Sequence, residues 1–317
     1  MHKNINLNPA LAGYYGGHRS GLLYAIEGLK ELHSDQGAIL DPFIEKKFAW
    51  ELSLNPEPYK KNWIGFIHTS PVAPDWWDYS QKPQCMFSLP LWQKSVEYCQ
   101  GIFCLSDWLK DLLQPQFDFP VSSLILPTET PELKFSMERF LANPNKKVVQ
   151  VGWWLRKLHS IYYLPVTKIQ KAILHLDKRF VNEKFALEKE RFGLKPDYDS
   201  VEIIERLSNE DYDTLLSENI VYMDMYDSCS NNAVVECIVR NTPILINPLP
   251  VVVEYLGEDY PFYFENRRQA AQKVEDLSII EATYNYLKFH PIKEQLKSDY
   301  FLNSFIESEV YQNLDNY

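Results

Sequence analysis

The chain contains few cysteines, no excess of positive charge and no long apolar run. Its five cysteines include no Cys-x-x-Cys pair, and one would be left over if the others were paired. Several stand inside apolar stretches such as residues 101–105, where a free cysteine behaves as a small buried hydrophobe. Reduced thiols in a cytosolic protein are therefore favoured over a disulfide framework or a zinc site. We expect the protein to be cytoplasmic.

The balance of charges disfavours two classes of partner. The formal net charge is −11, from 32 basic and 43 acidic residues. Nucleic-acid binding needs clustered Lys and Arg, and broad adsorption to anionic membranes needs a basic surface. The sequence also lacks the ~18 consecutive apolar residues that span a bilayer and the apolar core of a signal peptide. We therefore expect neither a nucleic-acid partner nor an integral membrane segment.

The length of the chain predicts two domains, because 317 residues are more than one hydrophobic core usually supports. Residues 128–145, which end in Asn143-Pro144-Asn145, form the best candidate linker. We expect an N-terminal Rossmann-like domain over residues 1–140. A second Rossmann-like domain, with helices at its C-terminal end, is expected over residues 146–317.

Short apolar runs alternate with helical patterns along both parts of the chain. Strands are predicted at residues 63–68, 101–105, 121–126, 147–152, 201–207, 220–225, 243–247 and 260–264. Helices are predicted at residues 20–33, 91–99, 108–113, 164–176, 181–192, 209–217, 231–240 and 251–256, with more helix towards the C-terminus. This alternation indicates α/β architecture, with two doubly wound parallel sheets facing each other across a cleft. Ligands of such sheets bind beyond the carboxyl ends of the strands.

The most informative segment runs from residue 220 to residue 257. A strand ends in a polar loop, and the loop opens at Asn231 and Asn232 into a helix that carries Glu236 about one and a half turns later. The N–H groups at a helix start carry partial positive charge and suit a diphosphate. A carboxylate at position 236 can accept hydrogen bonds from ribose hydroxyls. The alternative is an ordinary β-α-β unit whose helix is capped by Ser230 or Asn231.

This segment resembles the C-terminal domain of glycosyltransferases with the two-Rossmann-domain (GT-B) architecture. In that family a Ser/Asn loop, a helix carrying glutamate, a turn with proline and an apolar strand form the donor site. Residues 254–257 (Glu-Tyr-Leu-Gly) are similar to the family's Glu-x-x-Gly element. The resemblance covers roughly residues 100–270 in element order. It implies that Ser230, Asn231, Asn232 and Glu236 contact a nucleotide-sugar donor.

One position departs from the family pattern. Many retaining members carry two glutamates separated by seven residues, and the earlier position is Ser228 here. Retaining and inverting outcomes therefore both stay open.

A second element consists of the adjacent cations Arg156 and Lys157. They follow a strand that runs into Gly152 at the start of the second domain. A leaving diphosphate needs its growing charge neutralised, which Arg and Lys can supply without a metal. The resemblance points the same way, since family members often place Arg and Lys after this strand. The alternative for either residue is an ordinary surface charge.

Gly16 and Gly17 form a third candidate element, ahead of a helix that Ser20 is predicted to cap. Glycines let the backbone approach a ligand closely, and a helix start favours an anion. An N-terminal glycine loop of the resembling family lies across the cleft from the donor phosphates, so both glycines are predicted donor contacts. The alternative is a simple turn. Because no apolar strand is evident before this loop, we expect a compact or atypical N-terminal domain.

His68 follows a buried strand and is the candidate catalytic residue. Histidine is the usual side chain for proton transfer near neutral pH. In an inverting enzyme His68 would deprotonate the acceptor hydroxyl, and in a retaining one it would contact the donor sugar. The alternative is a structural histidine bonded to the loop at Thr69 and Ser70, and Asp75 and Asp78 are other candidate bases.

The eight tryptophans all lie within residues 50–154. Sugar rings stack on indole, so they are candidates for an acceptor groove, although core packing is the more common role of aromatic residues. Because no His/Cys cluster is present, we expect neither a metal nor a cofactor.

Together these features predict a glycosyltransferase that moves a sugar from a nucleotide-diphosphate sugar to a hydroxyl acceptor, in surface glycan or polysaccharide synthesis. Two alternatives stay open. One is a non-catalytic GT-B-like subunit that binds nucleotide or glycan, and the other is a nucleotide-sugar epimerase or hydrolase on the same fold. The donor base and sugar, the acceptor and the oligomeric state are left open.

Overall fold

A computed structural model describes residues 5–8, 21–176 and 178–314. The chain divides into two compact units. Unit 1 comprises residues 1–129, 228–232 and 292–317, and unit 2 comprises residues 130–227 and 233–291. The first change of unit, after Glu129, falls within the linker predicted at residues 128–145.

Unit 1 is built on a sheet of five parallel strands, which lie in the order of the chain. These are β1 (Ile5–Asn6), β2 (Ala38–Asp41), β3 (Trp63–Phe66), β4 (Cys99–Cys104) and β5 (Val121–Ser123). The helices between them are α1 (Leu22–Gly28), α2 (Asp75–Asp78), α3 (Pro83–Phe87), α4 (Pro90–Ser95) and α5 (Asp107–Leu113). Every residue of β3 is buried, as expected for a parallel sheet covered on both faces.

Unit 2 has a second parallel sheet, formed by β6 (Lys147–Gln150), β7 (Gln170–Leu174), β8 (Glu202–Ile204), β9 (Ile220–Met223) and β10 (Ile244–Ile246). The strand order is β10-β9-β6-β7-β8, so the direction of winding reverses between β6 and β9. Its helices are α6 (Met137–Ala142), α7 (Arg179–Arg191), α8 (Asn209–Glu218), α9 (Asn232–Arg240), α10 (Pro250–Leu256), α11 (Arg267–Val274) and α12 (Leu277–Lys288). Ligands of doubly wound sheets bind where the order reverses, beyond the strand ends. The predicted α/β class with two parallel sheets is confirmed.

Single helical turns complete both units. They are the 3₁₀ turns Lys30–Leu32, Leu52–Leu54, Tyr79–Gln81, Val96–Tyr98, Gln114–Gln116, Ser160–Tyr163, Tyr198–Ser200 and Pro291–Glu294, and the π-helical turn Lys46–Trp50.

The last two helices, α13 (Ser298–Glu307) and α14 (Glu309–Gln312), belong to unit 1. The sequence instead predicts them in the second domain. Phe305 and Val310 are fully buried in the same apolar cluster as β1 and α1. The Phe305 ring stacks on Phe103 of β4 at a centroid distance of 4.9 Å. The sheet of unit 1 therefore takes its cover from both ends of the chain.

Two predicted elements differ from the structure, and two strands were not predicted. The helix predicted at residues 164–176 is wrong, because residues 170–174 form β7. The strand predicted at residues 260–264 is reduced to one bridge between Tyr263 and Ile246. β1 precedes the glycine loop although no strand was expected there, and its partner β2 was also missed. Elements of two to five residues are too short for their apolar period to be read in the sequence.

All five cysteines are free thiols in the structure. Cys104, Cys229 and Cys237 are buried. No helix in the described part of the chain is long and apolar enough to cross a bilayer.

Replacing Phe305 by Ala should destabilise unit 1 by about 3–5 kcal/mol, because it empties a fully buried ring position beneath β4. Tyr300→Ala, on the same helix but 43% exposed, should cost less than about 0.5 kcal/mol. Urea unfolding of the three proteins measures both effects. Equal losses for the two variants would contradict the packing of α13 into the core of unit 1.

Candidate functional site

The loop that follows β6 holds the predicted cations of unit 2. Gly152 has a φ of +73°, and a Cβ at this position would lie 2.9 Å from Nη2 of Arg156. Leu155 also has a positive φ, of 55°, although it is not a glycine. Glycine is required at position 152 because a side chain would collide with the guanidinium. The strain at Leu155 is typical of a loop that its surroundings hold in one shape.

Arg156 is almost completely buried within this loop, with 7% of its surface exposed. Its Nη1 donates a hydrogen bond of 2.6 Å to the carbonyl of Trp154, and its backbone forms a bridge with Met225 beyond β9. Burial lowers the pKa of Arg156 to about 10, and the neighbouring Tyr212 acts in the opposite direction. The guanidinium therefore remains charged at neutral pH.

Lys157 is more exposed than Arg156 and has a carboxylate partner. Its Nζ lies 2.6 Å from Oδ1 of Asp224, the residue that follows β9. The backbone N–H of Lys157 donates to the carbonyl of Asp224, and the hydroxyl of Ser160 donates to Oδ2. Adjacent strands β6 and β9 thus bring Lys157 and Asp224 together at the carboxyl edge of the sheet.

A buried carboxylate, Glu188 of α7, fixes the other side of the loop. It accepts hydrogen bonds from the backbone N–H groups of Leu158 (3.0 Å) and His159 (2.9 Å). It also accepts from Nδ1 of His159 at 2.6 Å and from the hydroxyl of Tyr226 at 2.7 Å. Four donors on one carboxylate compensate its desolvation and hold residues 158–159 in place.

Glu236 lies on α9 and is buried, with 8% of its surface exposed. Its Oε2 accepts a hydrogen bond of 2.8 Å from the hydroxyl of Tyr212 on α8. Burial and the charge of Glu236 together raise the pKa of Tyr212 well above its ordinary value, so the phenol stays protonated. Tyr212 also acts on the pKa of Arg156, so an electrostatic interaction links α8 to the loop after β6.

The predicted loop contacts Ser230, Asn231 and Asn232 fall in the segment 228–232, which belongs to unit 1. Helix α9 begins at Asn232, close to its predicted start. Asn231 is buried and Asn232 is exposed. Gly21, also in unit 1, has a φ of +84°, and a Cβ there would lie 2.7 Å from Nδ2 of Asn232. This close approach restricts position 21 to glycine.

Ser228 occupies the position where many retaining relatives of the resembling family have glutamate. It is buried, and its hydroxyl donates to the carbonyl of Ser230 at 3.3 Å. The position therefore holds a short neutral side chain that is engaged within its own loop.

His68 follows β3 and is fixed by contacts on both sides of its ring. Nε2 lies 2.9 Å from the carbonyl of Pro42, so Nε2 carries the proton and Nδ1 is an acceptor. The ring stacks on Phe43 at a centroid distance of 3.8 Å. Burial lowers the pKa of His68 to about 4. At neutral pH the ring is an uncharged hydrogen-bond acceptor.

Two buried carboxyls lie beside His68. Glu45 accepts hydrogen bonds through Oε1 from the backbone N–H of His68 and the hydroxyl of Thr69, both at 2.5 Å. Burial raises the pKa of Glu45 and also raises the pKa of Asp41, to about 6. Asp41 accepts from the hydroxyl of Tyr59 at 2.8 Å. Burial therefore moves the pKa of all three groups, Asp41, Glu45 and His68, towards the neutral form.

The other residues singled out in the sequence are the glycine loop, the candidate base Asp75 and the tryptophans. Gly16 and Gly17 lie outside the described residues, as does the predicted cap Ser20. Asp75 forms an ion pair of 2.5 Å with Lys82. Among the tryptophans, the indoles of Trp63, Trp77 and Trp92 are buried in unit 1, and Trp50 is half exposed.

Within residues 5–8, 21–176 and 178–314, no group of three or more His, Cys, Asp or Glu side chains could hold a metal ion. The pairs Asp197/Asp199 and Asp211/Asp213 have metal-binding spacing, but Asp213 instead accepts from Nε and Nη2 of Arg240 at 3.1 and 2.8 Å. That the protein needs no metal stays a prediction.

Sequence reasoning missed several polar residues that shape these sites. Asp224 lies near the end of the strand predicted at residues 220–225 and directly follows β9, a position that points to the carboxyl edge of the sheet. Tyr212 and Glu188 lie within helices, where no local pattern separates a buried polar side chain from a solvated one. Glu45 lies in a segment where no element was predicted.

Replacing Glu188 by Ala should lower the free energy of unfolding by about 3 kcal/mol, because four buried donors lose their acceptor. Glu183→Ala on the same helix is the matched control. Glu183 is 61% exposed and pairs only with Arg179, so its loss should cost less than about 0.5 kcal/mol. Urea unfolding measures both variants, and indistinguishable values would contradict the anchoring role of Glu188.

His68 should make the protein less stable in acid. Its folded pKa, about 4, lies below the ordinary value, so the unfolded chain binds the proton first as the pH falls. The stability present above about pH 6.5 is therefore lost progressively towards pH 4, by about 2 kcal/mol. Urea unfolding of wild type and His68→Gln between pH 4.5 and 8 measures this difference.

The raised pKa of Asp41 changes the free energy of unfolding in the opposite direction as the pH falls. Asp41 is present in both proteins, so its contribution cancels in the comparison. A difference between wild type and His68→Gln that does not change with pH would contradict the burial of the ring. An NMR titration of His68 with a midpoint near pH 6.5 would also contradict the burial of the ring.

The chain matches no protein-family model and no curated protein sequence. It is similar to solved structures. A variant of Staphylococcus aureus TarM, in complex with Fondaparinux, α-GlcNAc-glycerol and UDP, superposes with a TM-score of 0.62 at 12% identity over 92% of this chain. This chain spans 58% of the TarM chain, less than two thirds of its length.

Two further structures are similar over more of their own length. UDP-forming α,α-trehalose-phosphate synthase from Burkholderia vietnamiensis has a TM-score of 0.57 at 12% identity, with 90% of this chain and 77% of that chain covered. Sucrose-phosphate synthase from Thermosynechococcus elongatus has the same TM-score and identity, with 85% and 70% covered. At this level of identity the likeness is one of fold, and the fold of this chain is the GT-B fold of nucleotide-sugar glycosyltransferases.

Proposed function

We propose that the protein is a glycosyltransferase that moves a sugar from a uridine-diphosphate sugar to a hydroxyl acceptor in glycan synthesis. The observation that carries the proposal lies in unit 2, where the charged Arg156 is buried in the loop after β6 and the carboxylate Glu236 is buried on α9. The GT-B fold supports it, and so do the similar structures, of which TarM was solved with UDP and the trehalose-phosphate synthase is named as UDP-forming.

The donor diphosphate would bind at the loop after β6. Arg156 is charged, buried and held in one position, so it can stabilise a leaving diphosphate without being reoriented during the reaction. Lys157 supplies a second cation at the same edge, and Asp224 fixes its position. Two cations would replace the metal ion that a diphosphate otherwise needs, and we propose a metal-independent reaction.

Glu236 would bind the donor nucleotide or sugar. A carboxylate can accept hydrogen bonds from ribose hydroxyls, as it does from the hydroxyl of Tyr212. Ser230, Asn231 and Asn232 would complete the donor contacts at the start of α9, where helix N–H groups favour an anion. Gly16 and Gly17 remain proposed donor contacts by the resemblance alone.

His68 would contact a sugar hydroxyl near the reacting centre. With its pKa lowered to about 4, the ring is a poor base for full proton transfer at neutral pH. Nδ1 is instead suited to accept a hydrogen bond from a hydroxyl of the donor sugar or of the acceptor. We therefore assign His68 an orienting role ahead of a general-base role.

A second candidate is a non-catalytic GT-B-like subunit that binds nucleotide or glycan. Ser228 favours it, because this position carries glutamate in many retaining relatives of the family. An epimerase or hydrolase on the same fold would need a pair of acid and base carboxyls at the donor. Incubation with UDP-sugars separates the candidates: transfer of the sugar supports the enzyme, and binding without turnover supports the subunit.

We place the reaction in the cytoplasm, where the five free thiols are stable. The acceptor is proposed to be another sugar of a glycan.

Calorimetric titration with UDP should show binding that depends on the buried cation and carboxylate. Arg156→Gln should weaken UDP binding about 10- to 100-fold, because it removes a charge-assisted contact to phosphate. Glu236→Ala should weaken it about 10-fold through the lost ribose contact. Arg179→Gln, at a side chain that is 91% exposed, is the control and should leave affinity unchanged.

UDP, GDP and ADP are titrated in parallel to define the base. A wild-type protein that binds none of the three would overturn the proposed function. Unchanged UDP affinity in Glu236→Ala would leave Glu236 with a structural role only.

A further inference from the structure

We propose that unit 1 carries a subsite for a pyranose ring, formed by Trp50, Phe43 and His68. The subsite would receive the acceptor sugar, so in this respect it rests on the proposed transferase function. The subsite is inferred from a row of three aromatic rings, of which Trp50 is the most exposed. Polar groups that can bind hydroxyls lie next to His68, at the other end of the row.

The row begins at the ring of His68, which stacks on Phe43 at 3.8 Å. The centroid of Phe43 lies 5.7 Å from that of Trp50. His68 and Phe43 are half-buried, whereas Trp50 is 49% exposed. A sugar ring has C–H groups on its flat faces, which pack against the electron-rich face of an indole. Trp50 is therefore available as a stacking platform at the exposed end of the row.

The exposure of Trp50 sets it apart from the core tryptophans of unit 1. Trp63, Trp77 and Trp92 are each at most 2% exposed. Trp50 ends the π-helical turn Lys46–Trp50, in which the N–H of Glu51 bonds to the carbonyl of Lys46 at 2.9 Å. Such turns occur often at functional sites, because they redirect side chains at a cost in backbone stability.

Hydrogen-bonding groups accompany the aromatic row at its buried end. The carbonyl of Pro42 fixes the proton of His68 on Nε2, which leaves Nδ1 as an acceptor. Glu45, which holds the backbone of His68, has a second oxygen, Oε2, that is buried and has no hydrogen-bond partner in the described part of the chain. Glu45 is fully buried, so its part is to hold the backbone of His68, whose Nδ1 is the acceptor for a ligand hydroxyl. A stacking face beside such an acceptor fits a sugar better than a purely apolar ligand.

Saturation-transfer NMR on the full chain tests the subsite with methyl α-D-glucopyranoside and N-acetylglucosamine as probes. Glycerol serves as a hydroxyl compound without a ring. Wild type should transfer saturation to the ring protons of at least one pyranose and not to glycerol. Trp50→Ala should raise the dissociation constant of that pyranose about fivefold or more, and Trp50→Phe should restore part of the loss.

Tyr98→Ala is the matched control, because Tyr98 is an aromatic residue of unit 1 that is 38% exposed and lies outside the row. This variant should bind the pyranose as tightly as wild type. Circular dichroism checks that each variant is folded. UDP binding is measured on the same samples, which separates the two proposals. Pyranose binding lost in Trp50→Ala without any UDP binding would support the subsite and overturn the transferase. Intact UDP binding with no pyranose binding, or with equal affinities in Trp50→Ala and Tyr98→Ala, would overturn the subsite alone.

Discussion

The arrangement of unit 2 depends on two buried carboxylates that hold the loop after β6 from opposite sides. Glu188 accepts four hydrogen bonds, from Leu158, from His159 and from Tyr226. Asp224 binds the ammonium group of Lys157 and the hydroxyl of Ser160. The loop can therefore tolerate a left-handed residue and a desolvated guanidinium, which would each destabilise a free loop. Preorganised charge of this kind is what binding and stabilising a diphosphate require.

The polar groups beside β2 and β3 of unit 1 have different electrostatics. Burial moves the pKa of each of these groups, Asp41, Glu45 and His68, towards the neutral form. Groups of reduced charge suit hydroxyls, whereas the charged loop of unit 2 suits phosphate.

Much of the architecture was predictable because buried parallel strands give continuous apolar runs. β4 and β9 were found in this way. β7 was mistaken for a helix, because five residues of mixed polarity carry no distinct period. The assignment of α13 to unit 1 rests on contacts between distant parts of the chain, which a local pattern cannot reveal.

In the candidate site, Arg156, Lys157 and Glu236 were identified because they follow strand ends or helix starts. Glu188, which holds the loop after β6, was not predicted, because it acts through tertiary contacts alone. We propose that the loop after β6 binds the donor diphosphate. A crystal structure of the protein with UDP should show diphosphate oxygens within about 3 Å of the Arg156 guanidinium. UDP bound elsewhere, with this loop unliganded, would contradict it.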